Sequence, residues 1–282
     1  QTQILIGDID LGKAGLTYRD RFIQDKFTSL DRFNEVEFDR NYNTASQTKS
    51  EDESLREIGV SLQPIQELTI NSAAGFLRQG DNFSSDRFNN LFRFSDSKTF
   101  NVEYNLDYVK STNLTLKSNW LRHKANAFYT FWLLKPGIEF LAEDKQNNQA
   151  QKDSLLNGSL KYFEYSPYLE LMEIYGFRMF TKFGVRDDYL PYNGLMIKES
   201  RAKTYSVELN YNGIREVNTN LVLTSRDRKY EDQFKASGSL DNETILIRSR
   251  TKFNFWERLL NGDFYYEVST QKYKKKKKVF VL

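Results

Sequence analysis

The chain has 282 residues, enough for a sizeable core, and its aromatic content of 15% (22 Phe, 17 Tyr, 3 Trp) excludes a disordered polypeptide. Its 41 basic and 38 acidic residues nearly balance, and much of the basic excess lies between Lys274 and Lys278, so no nucleic-acid partner is expected. The absence of cysteine excludes disulfides, thiol catalysis and Cys-based metal sites.

No segment of the sequence is long and apolar enough to form a transmembrane helix. The most apolar run, residues 125–134 (ANAFYTFWLL), lies between Lys124 and Lys135. It falls short of the ~18–20 apolar residues that a membrane helix needs. A membrane-spanning β-strand needs only ~9–11 residues of alternating pattern. The sequence therefore excludes membrane helices and leaves membrane strands open.

Strict alternation of apolar and polar residues is the dominant pattern of the first half of the chain. Short examples at residues 59–62 and 67–76 precede the clearest one, residues 99–108 (TFNVEYNLDY). A strand places the apolar and polar sets of this segment on opposite faces, whereas a helix would mix them around its circumference. Residues 113–120 and 159–165 continue the pattern.

The second half of the chain repeats the alternation in residues 204–211, 220–225, 243–255 and 263–269. In residues 243–255 the three cations Arg248, Arg250 and Lys252 fall on one side, opposite the isoleucines. Asn-Gly pairs predict hairpin turns at residues 157–158, 193–194, 212–213 and 261–262, because both residues tolerate positive φ. The sequence therefore predicts an all-β fold, an antiparallel meander of roughly a dozen amphipathic strands in a barrel-like or extended, curved sheet.

Helices have little support in the sequence. Residues 52–58 have the composition of a helix start, and residues 169–175 (LELMEIY) fit a helical turn or a strand equally well. Residues 44–53 and 146–156 are polar, and we expect them to be solvated loops.

An internal similarity suggests a duplication within a single β-rich region that spans residues 1–282. Residues 98–105 (KTFNVEYN) resemble residues 203–210 (KTYSVELN), and a glycine-containing strand end precedes each of them. The duplication would cover residues 75–110 and 184–213; chance similarity between amphipathic strands is the alternative. Because the sequence starts at Gln1 and ends on the strand-like KVFVL, we expect it to be a fragment of a larger protein.

No catalytic, cofactor-binding or metal-binding residues are assigned, and no cofactor is expected. His123 is the only histidine, cannot form a zinc site without cysteine, and is interpreted as a strand-end residue. The pairs Asp187–Asp188 and Glu143–Asp144 are adjacent in sequence, so on a strand they point to opposite faces and form no acid–base dyad. We interpret them as solvated loop charges near the rim of a sheet.

Two further features allow more than one interpretation. The run from Lys274 to Lys278 fits a site for phosphate-bearing lipid headgroups or lipopolysaccharide, or a charged strand edge that resists aggregation. Several tyrosines near strand ends fit a membrane-interface belt, a sandwich core or a sugar-binding platform. They are Tyr162, Tyr165, Tyr168, Tyr189, Tyr192, Tyr265 and Tyr266.

The general character of the sequence, and several of its segments in particular, resemble a known class of proteins. Residues 32–43 (RFNEVEFDRNYN), the two strands with the pattern KT[FY]xVE, and residues 265–282 (YYEVSTQKYKKKKKVFVL) carry the resemblance. They are similar to parts of very large, β-strand-rich envelope proteins of Bacteroidota and related bacteria. The resemblance implies an outer-membrane or cell-surface location, and it carries over no functional residues.

Two functions of different classes follow from an amphipathic sheet, and we expect neither to be enzymatic. The first is a structural or transport-type segment of an outer-membrane barrel, with lipid, lipopolysaccharide or other envelope proteins as partners. The alternative is a soluble secreted or surface-tethered β-sheet module for binding or adhesion, including carbohydrate binding. An uninterrupted apolar face across neighbouring strands would favour the barrel. Glu170, Glu173, Arg178 and Lys182 count against it unless a bulge shifts the register.

Overall fold

A computed structural model describes residues 2–24, 41–43, 52–96, 99–149, 155, 158–255 and 260–273 of the chain. Most of these residues lie in fourteen strands. The strands are β1 (Thr2–Asp10), β2 (Ala14–Ile23), β3 (Glu53–Ile65), β4 (Leu68–Gln79), β5 (Phe83–Ser95), β6 (Phe100–Asn113), β7 (Leu116–Tyr129), β8 (Leu134–Gln149), β9 (Leu160–Ile174), β10 (Phe177–Tyr192), β11 (Leu195–Ile214), β12 (Val217–Tyr230), β13 (Asn242–Phe255) and β14 (Leu260–Tyr273).

All fourteen strands form one sheet, in the order in which they follow one another along the chain. Every neighbouring pair is antiparallel. This confirms the predicted all-β antiparallel meander. Within the described residues, β1 pairs only with β2 and β14 only with β13, so the sheet has two free edges. Because every strand belongs to this sheet, the described chain contains no second sheet that packs against it.

Residues 52–58, whose composition also allowed a helix start, form no helix, because β3 begins at Glu53 and its residues pair with β2 and β4. Residues 169–175 are likewise mostly strand, the end of β9. A short helix, α1 (Asp232–Ala236), lies in the connection between β12 and β13. The part of the chain that the structure describes has no helix with the length and apolar character needed to cross a membrane.

The two ends of the sheet differ in the connections they carry. At the end where β3 joins β4, here called the turn end, the connections are short, as at residues 66–67, 175–176 and 215–216. At the opposite loop end, the connections include residues 24–52, 150–159 and 231–241. The expected loop at residues 146–156 starts later than predicted, because β8 extends to Gln149. Most of the other expected loop, residues 44–51, lies outside the described residues.

The Asn-Gly pairs have different roles in the structure. Asn193 and Gly194 form the predicted turn between β10 and β11, with φ values of 51° and 78°. The pairs at 212–213 and 261–262 lie instead inside β11 and β14, so these two predictions are wrong. Asn157 lies outside the described residues. Tyr175 and Gly176 form a further turn of this kind, with φ values of 51° and 78°, which the sequence did not indicate.

The register divides the sheet into two faces, because directly opposed residues of antiparallel strands point to the same side. The apolar face carries Phe100, Val102, Tyr104, Leu106 and Tyr108 of β6 and their partners on β5 and β7. The polar face carries the residues between them. The alternation predicted for residues 99–108, 204–211 and 243–255 is confirmed by this register.

The apolar face has an uncharged band towards the turn end. In β6 it runs from Phe100 to Tyr108 before Lys110, and in β11 from Tyr211 to Tyr205 before Lys203. Among the described strand residues of this face, every Asp, Glu, Lys and Arg lies on the loop-end side of the band. The cations of this charged belt are Arg56, Arg78, Lys110, Lys117, Lys161, Lys198, Arg201, Lys203, Lys229 and Lys272.

A bulge keeps the charge of Glu173 out of the apolar band. The register between these strands shifts between Phe177 and Met179, opposite Ile174 and Leu171. Glu170 and Lys182 lie on the polar face by simple alternation, and the register shift places Glu173 on that face as well. Arg178 forms an ion pair with Glu170 on that same face. The apolar band thus stays free of charge in β9 and β10, where the sequence pattern indicated a mixture.

Candidate functional site on the polar face

Ion pairs between strands cover the polar face. Asp107 of β6 is buried and accepts hydrogen bonds from Arg87 of β5, at 2.9 Å from Nε, and from Arg122 of β7. Buried carboxylates need such partners because burial removes their hydration. Further pairs on this face are Arg21–Glu53, Arg178–Glu170, Arg248–Glu267 and Arg250–Asp263.

Some polar-face contacts join strands that are two apart in the sheet. Arg228 of β12 contacts Asp188 of β10 at 2.6 Å, and it crosses Ser200 of β11, whose side chain is fully buried. Tyr168 of β9 donates to Asn126 of β7 at 3.1 Å across β8. Lys182 of β10 likewise pairs with Glu139 of β8.

Small residues under these side chains make the crossings possible. A Cβ added to Gly137, the residue of β8 beneath Tyr168, would overlap the tyrosine ring. Ser166 of β9 is fully buried on the same face, near the Lys182–Glu139 pair. On the apolar face, the observed ion pairs, such as Arg201–Asp187 and Lys161–Asp144, join adjacent strands only. Side chains from strands that are two apart therefore come into contact on the polar face, whereas the ion pairs of the apolar face join neighbouring strands.

A piece of the connection between β2 and β3 lies on the polar face near the loop end. Tyr42 is 2% exposed and packs with Leu55, Leu77 and Phe83 in a hydrophobic cluster. Its hydroxyl donates to Glu57 at 2.5 Å. Gly75 provides the space, because a Cβ there would overlap the tyrosine hydroxyl.

The neighbouring Asn43 extends this anchor to other strands. Its side-chain amide donates to Ser111 of β6, and its carbonyl oxygen accepts from Lys145 of β8, both at 2.8 Å. Burial, followed by the hydrogen bond to Glu57, raises the pKa of Tyr42 well above its usual value. The phenol therefore keeps its proton, and its hydrogen bond to Glu57, at alkaline pH values at which an exposed tyrosine ionises.

The anchor borders a cavity of about 400 Å³ over β1 to β5. Its floor is made of Gly59, Ala73 and Gly75, residues without long side chains. Charged groups of both signs surround it: Arg19 and Arg87, and Asp8 and Glu57. The cavity is therefore large enough to hold a small hydrated solute.

His123 lies in the middle of β7, on the apolar face, and not at a strand end as the sequence suggested. Its Nδ1 is 2.8 Å from the hydroxyl of Tyr104, which satisfies one ring nitrogen within the apolar band. Among the described residues, no group of three or more His, Asp and Glu side chains is arranged to hold a metal ion.

The two carboxylate pairs lie within strands and not in loops, so the interpretation as solvated loop charges is wrong. The expectation that their members point to opposite faces agrees with the register. Asp187 pairs with Arg201 at 2.7 Å on the apolar face, and Asp188 with Arg228 on the polar face. Glu143 accepts from the indole of Trp120 at 2.8 Å, and Asp144 pairs with Lys161 at 3.1 Å.

The tyrosines singled out in the sequence divide between the two faces. Tyr162, Tyr168, Tyr192 and Tyr265 lie on the polar face, and Tyr165, Tyr189 and Tyr266 on the apolar face. They do not form one belt. The run from Lys274 to Lys278 lies outside the described residues. No sequence pattern predicted the Tyr42–Asn43 anchor; an aromatic residue within a polar segment is the only hint of it, and Phe33 and Phe38 share that hint.

No protein-family model matches the chain, and no curated protein matches its sequence. Solved outer-membrane proteins resemble its structure at low identity. OccK8 (OprE) of Pseudomonas aeruginosa is 10% identical, with a TM-score of 0.42, over 96% of this chain and 76% of that one. OccK2 (OpdF) of Pseudomonas aeruginosa, solved in complex with glucuronate, is 9% identical, with a TM-score of 0.45, over 96% and 75%.

The ferric citrate transporter FecA is 9% identical, with a TM-score of 0.45, over 96% of this chain and 52% of that one. This chain therefore spans about half the length of that transporter. At these identities and TM-scores, the likeness does not place the chain in a family.

Proposed function

We propose that the chain is a membrane-spanning part of an outer-membrane β-barrel, with its apolar face against lipid and its polar face lining a route for polar solutes. It carries out no chemical reaction in this proposal. The observation that supports it most directly is the apolar band, which is free of Asp, Glu, Lys and Arg on all the described strands. The resemblance of the sequence to envelope proteins of Bacteroidota favours the same compartment.

The dimensions of the band suit a bilayer. Phe100 to Tyr108 of β6 cover roughly 27 Å along the strand at about 3.4 Å per residue, or roughly 20 Å across a membrane at the usual tilt of about 40°. Aromatic side chains mark both borders, such as Phe94, Phe100 and Tyr129 at the turn end. Tyr108 and Tyr205 lie at the border with the charged belt. Aromatic rings favour such positions at lipid–water interfaces.

The crossing contacts of the polar face support a barrel with that face inside. Strands two apart lie roughly 10 Å apart in a flat sheet, since neighbours are about 4.8 Å apart. Arg228–Asp188 and Lys182–Glu139 cover this distance on the polar side. A sheet that is concave on this side brings such groups together, and barrel closure requires the same curvature.

Solute passage along the polar face is supported by its charges and by the Tyr42–Asn43 anchor. The anchor holds part of the connection between β2 and β3 against β3, β4, β6 and β8, on the inner side in this proposal. A segment held there narrows the route near the loop end. The 400 Å³ cavity beside it, with both Arg and acidic groups on its walls, suits small polar solutes.

Lipids with phosphate groups, lipopolysaccharide among them, are the partners that we propose for the belt of the apolar face. Lys110, Lys117, Lys203 and Lys229 form no ion pair among the described residues, and all lie just beyond the apolar band. Cations at this height meet the phosphates of a lipid leaflet. In an outer membrane, the belt and the longer connections would then face the outer leaflet.

A soluble binding or adhesion module is the alternative, and it requires a cover for the apolar face. Tyr205 is 55% exposed, Phe88 40% and Ile138 48%, all within the band. Soluble proteins rarely leave a contiguous apolar surface of this extent in water. The described chain provides no second sheet that would cover it.

The transport role is tested by electrical recording from the full chain refolded into planar bilayers. We expect stable, ohmic current steps with the wild-type chain. The variant Gly59→Trp, which fills the floor of the 400 Å³ cavity, should lower the unit current, and Val60→Trp on the opposite face of the same strand should leave it unchanged. Inserted protein without current would contradict a transport role.

The location is tested on the native full-length protein by fractionation of its source cells. We expect the protein in the outer-membrane pellet after carbonate and high-salt washes, because lipid contact across the whole band resists both treatments. Complete release into the wash would favour the soluble alternative.

A further inference from the structure

We propose that a cavity between β12, β13 and β14 at the loop end is a binding site for a small oxyanion, namely the carboxylate or phosphate group of a solute. The inference rests on the proposed function, because it assigns a class of solute to the polar face. It concerns a part of that face distant in the sheet from the Tyr42–Asn43 anchor.

The cavity has a volume of about 350 Å³, and apart from Leu240 its lining consists of side chains that can donate hydrogen bonds. These donors come from three neighbouring strands: Arg226, Arg228 and Tyr230 of β12, Asn242 and Thr244 of β13, and Gln271 and Tyr273 of β14. The lining contains no carboxylate. A site with guanidinium, hydroxyl and amide donors and no acid favours an anion over a cation.

Arg226 is the central cation of the site. It is half-buried, and its cross-strand partners are Thr204 on β11 and Thr244 on β13. No carboxylate among the described residues lies within ion-pair distance of it. Its sequence neighbour Asp227 and the nearby Glu243 lie on the opposite face of the sheet. Arg226 thus carries a charge that the described part of the polar face leaves uncompensated, unlike most arginines of that face.

Arg228 has a different role in the same cavity. Its Nη2 contacts Asp188 at 2.6 Å, and its Nη1 donates to the hydroxyl of Tyr230 at 3.2 Å. Asp188 therefore balances the charge of Arg228 and fixes the position of its guanidinium. The Tyr230 hydroxyl accepts from Arg228, so its own proton is free to point towards a bound anion.

The cavity beside the Tyr42–Asn43 anchor lacks this preference. Asp8 and Glu57 are among its lining residues, and Glu57 faces Arg19 at 3.8 Å and accepts from Tyr42. Acids of that kind repel an oxyanion. The selectivity for anions therefore belongs to the cavity around Arg226.

Direct binding to the full chain in detergent micelles tests the proposal without any need for conduction. Sodium phosphate, sodium acetate and methylammonium chloride are titrated separately in a calorimeter at constant ionic strength. We expect phosphate, acetate or both to bind and methylammonium not to bind. The phosphate and acetate results distinguish a phosphate-bearing from a carboxylate-bearing solute, and binding of neither would overturn the proposal.

Matched variants show whether the anion binds in this cavity. Arg226→Gln should weaken binding by about tenfold or more, because it removes a charge-assisted hydrogen bond. Arg215→Gln makes the same change in the exposed turn between β11 and β12 at the opposite end of the sheet, and should leave the affinity unchanged. Equal losses in both variants, or none in Arg226→Gln, would refute the site.

A second variant covers the case in which Arg226→Gln fails to fold, as judged by circular dichroism. Thr244→Val removes one hydroxyl donor while it keeps the shape of the side chain, and it should weaken anion binding several-fold. An unchanged affinity would count against the cavity. If the variants lose anion binding while the protein still conducts in bilayers, both the transport role and the anion site are supported. If the wild-type protein conducts but binds no anion, the anion site is refuted and the transport role is not.

Discussion

At the scale of single residues, Tyr42 shows how one side chain positions a long connection. Its ring buries apolar surface against Leu55 and Leu77, and its hydroxyl satisfies Glu57. The tyrosine thus combines an apolar body with a polar tip, which suits a site that is apolar at one side and charged at the other. The connection between β2 and β3 is held to the polar face by these contacts and by those of Asn43.

The first prediction concerns the Tyr42 hydroxyl. Tyr42→Phe keeps the packing and removes the hydrogen bond to Glu57, and should destabilise the anchor by about 1–2 kcal/mol. Amide hydrogen exchange at residues 41–43 should accelerate by about tenfold in the variant. Tyr18→Phe, which also removes a tyrosine hydroxyl bonded to an acid, should leave exchange at these residues unchanged.

The second prediction concerns pH. The folded pKa of Tyr42 lies above the unfolded value, so the unfolded state loses its proton first as the pH rises. The contribution of Tyr42 to stability is therefore complete below about pH 10, the ordinary tyrosine pKa, and falls above it. Exchange at residues 41–43 should accelerate above that pH in the wild-type chain by more than in Tyr42→Phe. Identical pH profiles would contradict the raised pKa.

At the scale of elements, the register of β11 offers a test of what covers each face. Val207 lies in the middle of the apolar band, and its neighbour Ser206 lies on the polar face. The two positions are adjacent in one strand and differ in the side to which they point. If the apolar face contacts lipid, an arginine at position 207 lies in lipid, whereas an arginine at position 206 lies in water.

The third prediction compares these two substitutions. Val207→Arg should destabilise the chain in lipid vesicles by about 2–4 kcal/mol, as an arginine does near the middle of a bilayer, and Ser206→Arg by much less. Urea unfolding from vesicles, followed by tryptophan fluorescence, measures both. Equal effects, or a harmless Val207→Arg, would indicate that the apolar face does not meet lipid.

The glycines of two Asn-Gly pairs in β11 and its preceding turn are required for different reasons. Gly213 lies inside β11, and a Cβ there would be 2.5 Å from the carbonyl oxygen of Tyr175 in the neighbouring turn. Gly194 occupies a turn with φ of 78°, and a Cβ there would meet no atom within 4 Å. Close approach fixes the first glycine, and backbone conformation fixes the second. An Asn-Gly pair in the sequence does not distinguish these two reasons.

At the scale of the whole molecule, the fourteen strands place two kinds of connection at opposite ends of one sheet. Only a bilayer separates these ends into different compartments. Residues 193–194 lie at the loop end and residues 66–67 at the turn end. A soluble sheet would expose both to the same solvent.

The fourth prediction uses the absence of cysteine, which gives each single-cysteine variant one thiol. In sealed vesicles with uniformly inserted protein, Asn193→Cys and Glu67→Cys should react with a membrane-impermeant maleimide from opposite sides. A bulky maleimide that cannot pass the barrel is needed. Labelling of both variants from the same side would contradict a spanning sheet.

The sequence by itself determined the all-β fold class and, where the alternation is strict, the two faces of the strands. Alternation with period two is a local property, since successive side chains of a strand point to opposite sides whatever lies beside it. The faces predicted for residues 99–108, 204–211 and 243–255 are therefore those of the structure. The internal duplication remains a prediction; Gly75 lies two strands before residues 99–105, whereas Gly184 lies one strand before Lys203.

Only the tertiary structure decided which charges share a face, where the band ends and what fills the polar side. The bulge that returns Glu173 to the polar face depends on the pairing of β9 with β10. The donors around Arg226 come from three strands that meet through sheet register, and the Tyr42 anchor depends on strands that this register brings together beneath a loop. Such contacts follow from the alignment of whole strands, and a window of neighbouring residues carries no information about that alignment.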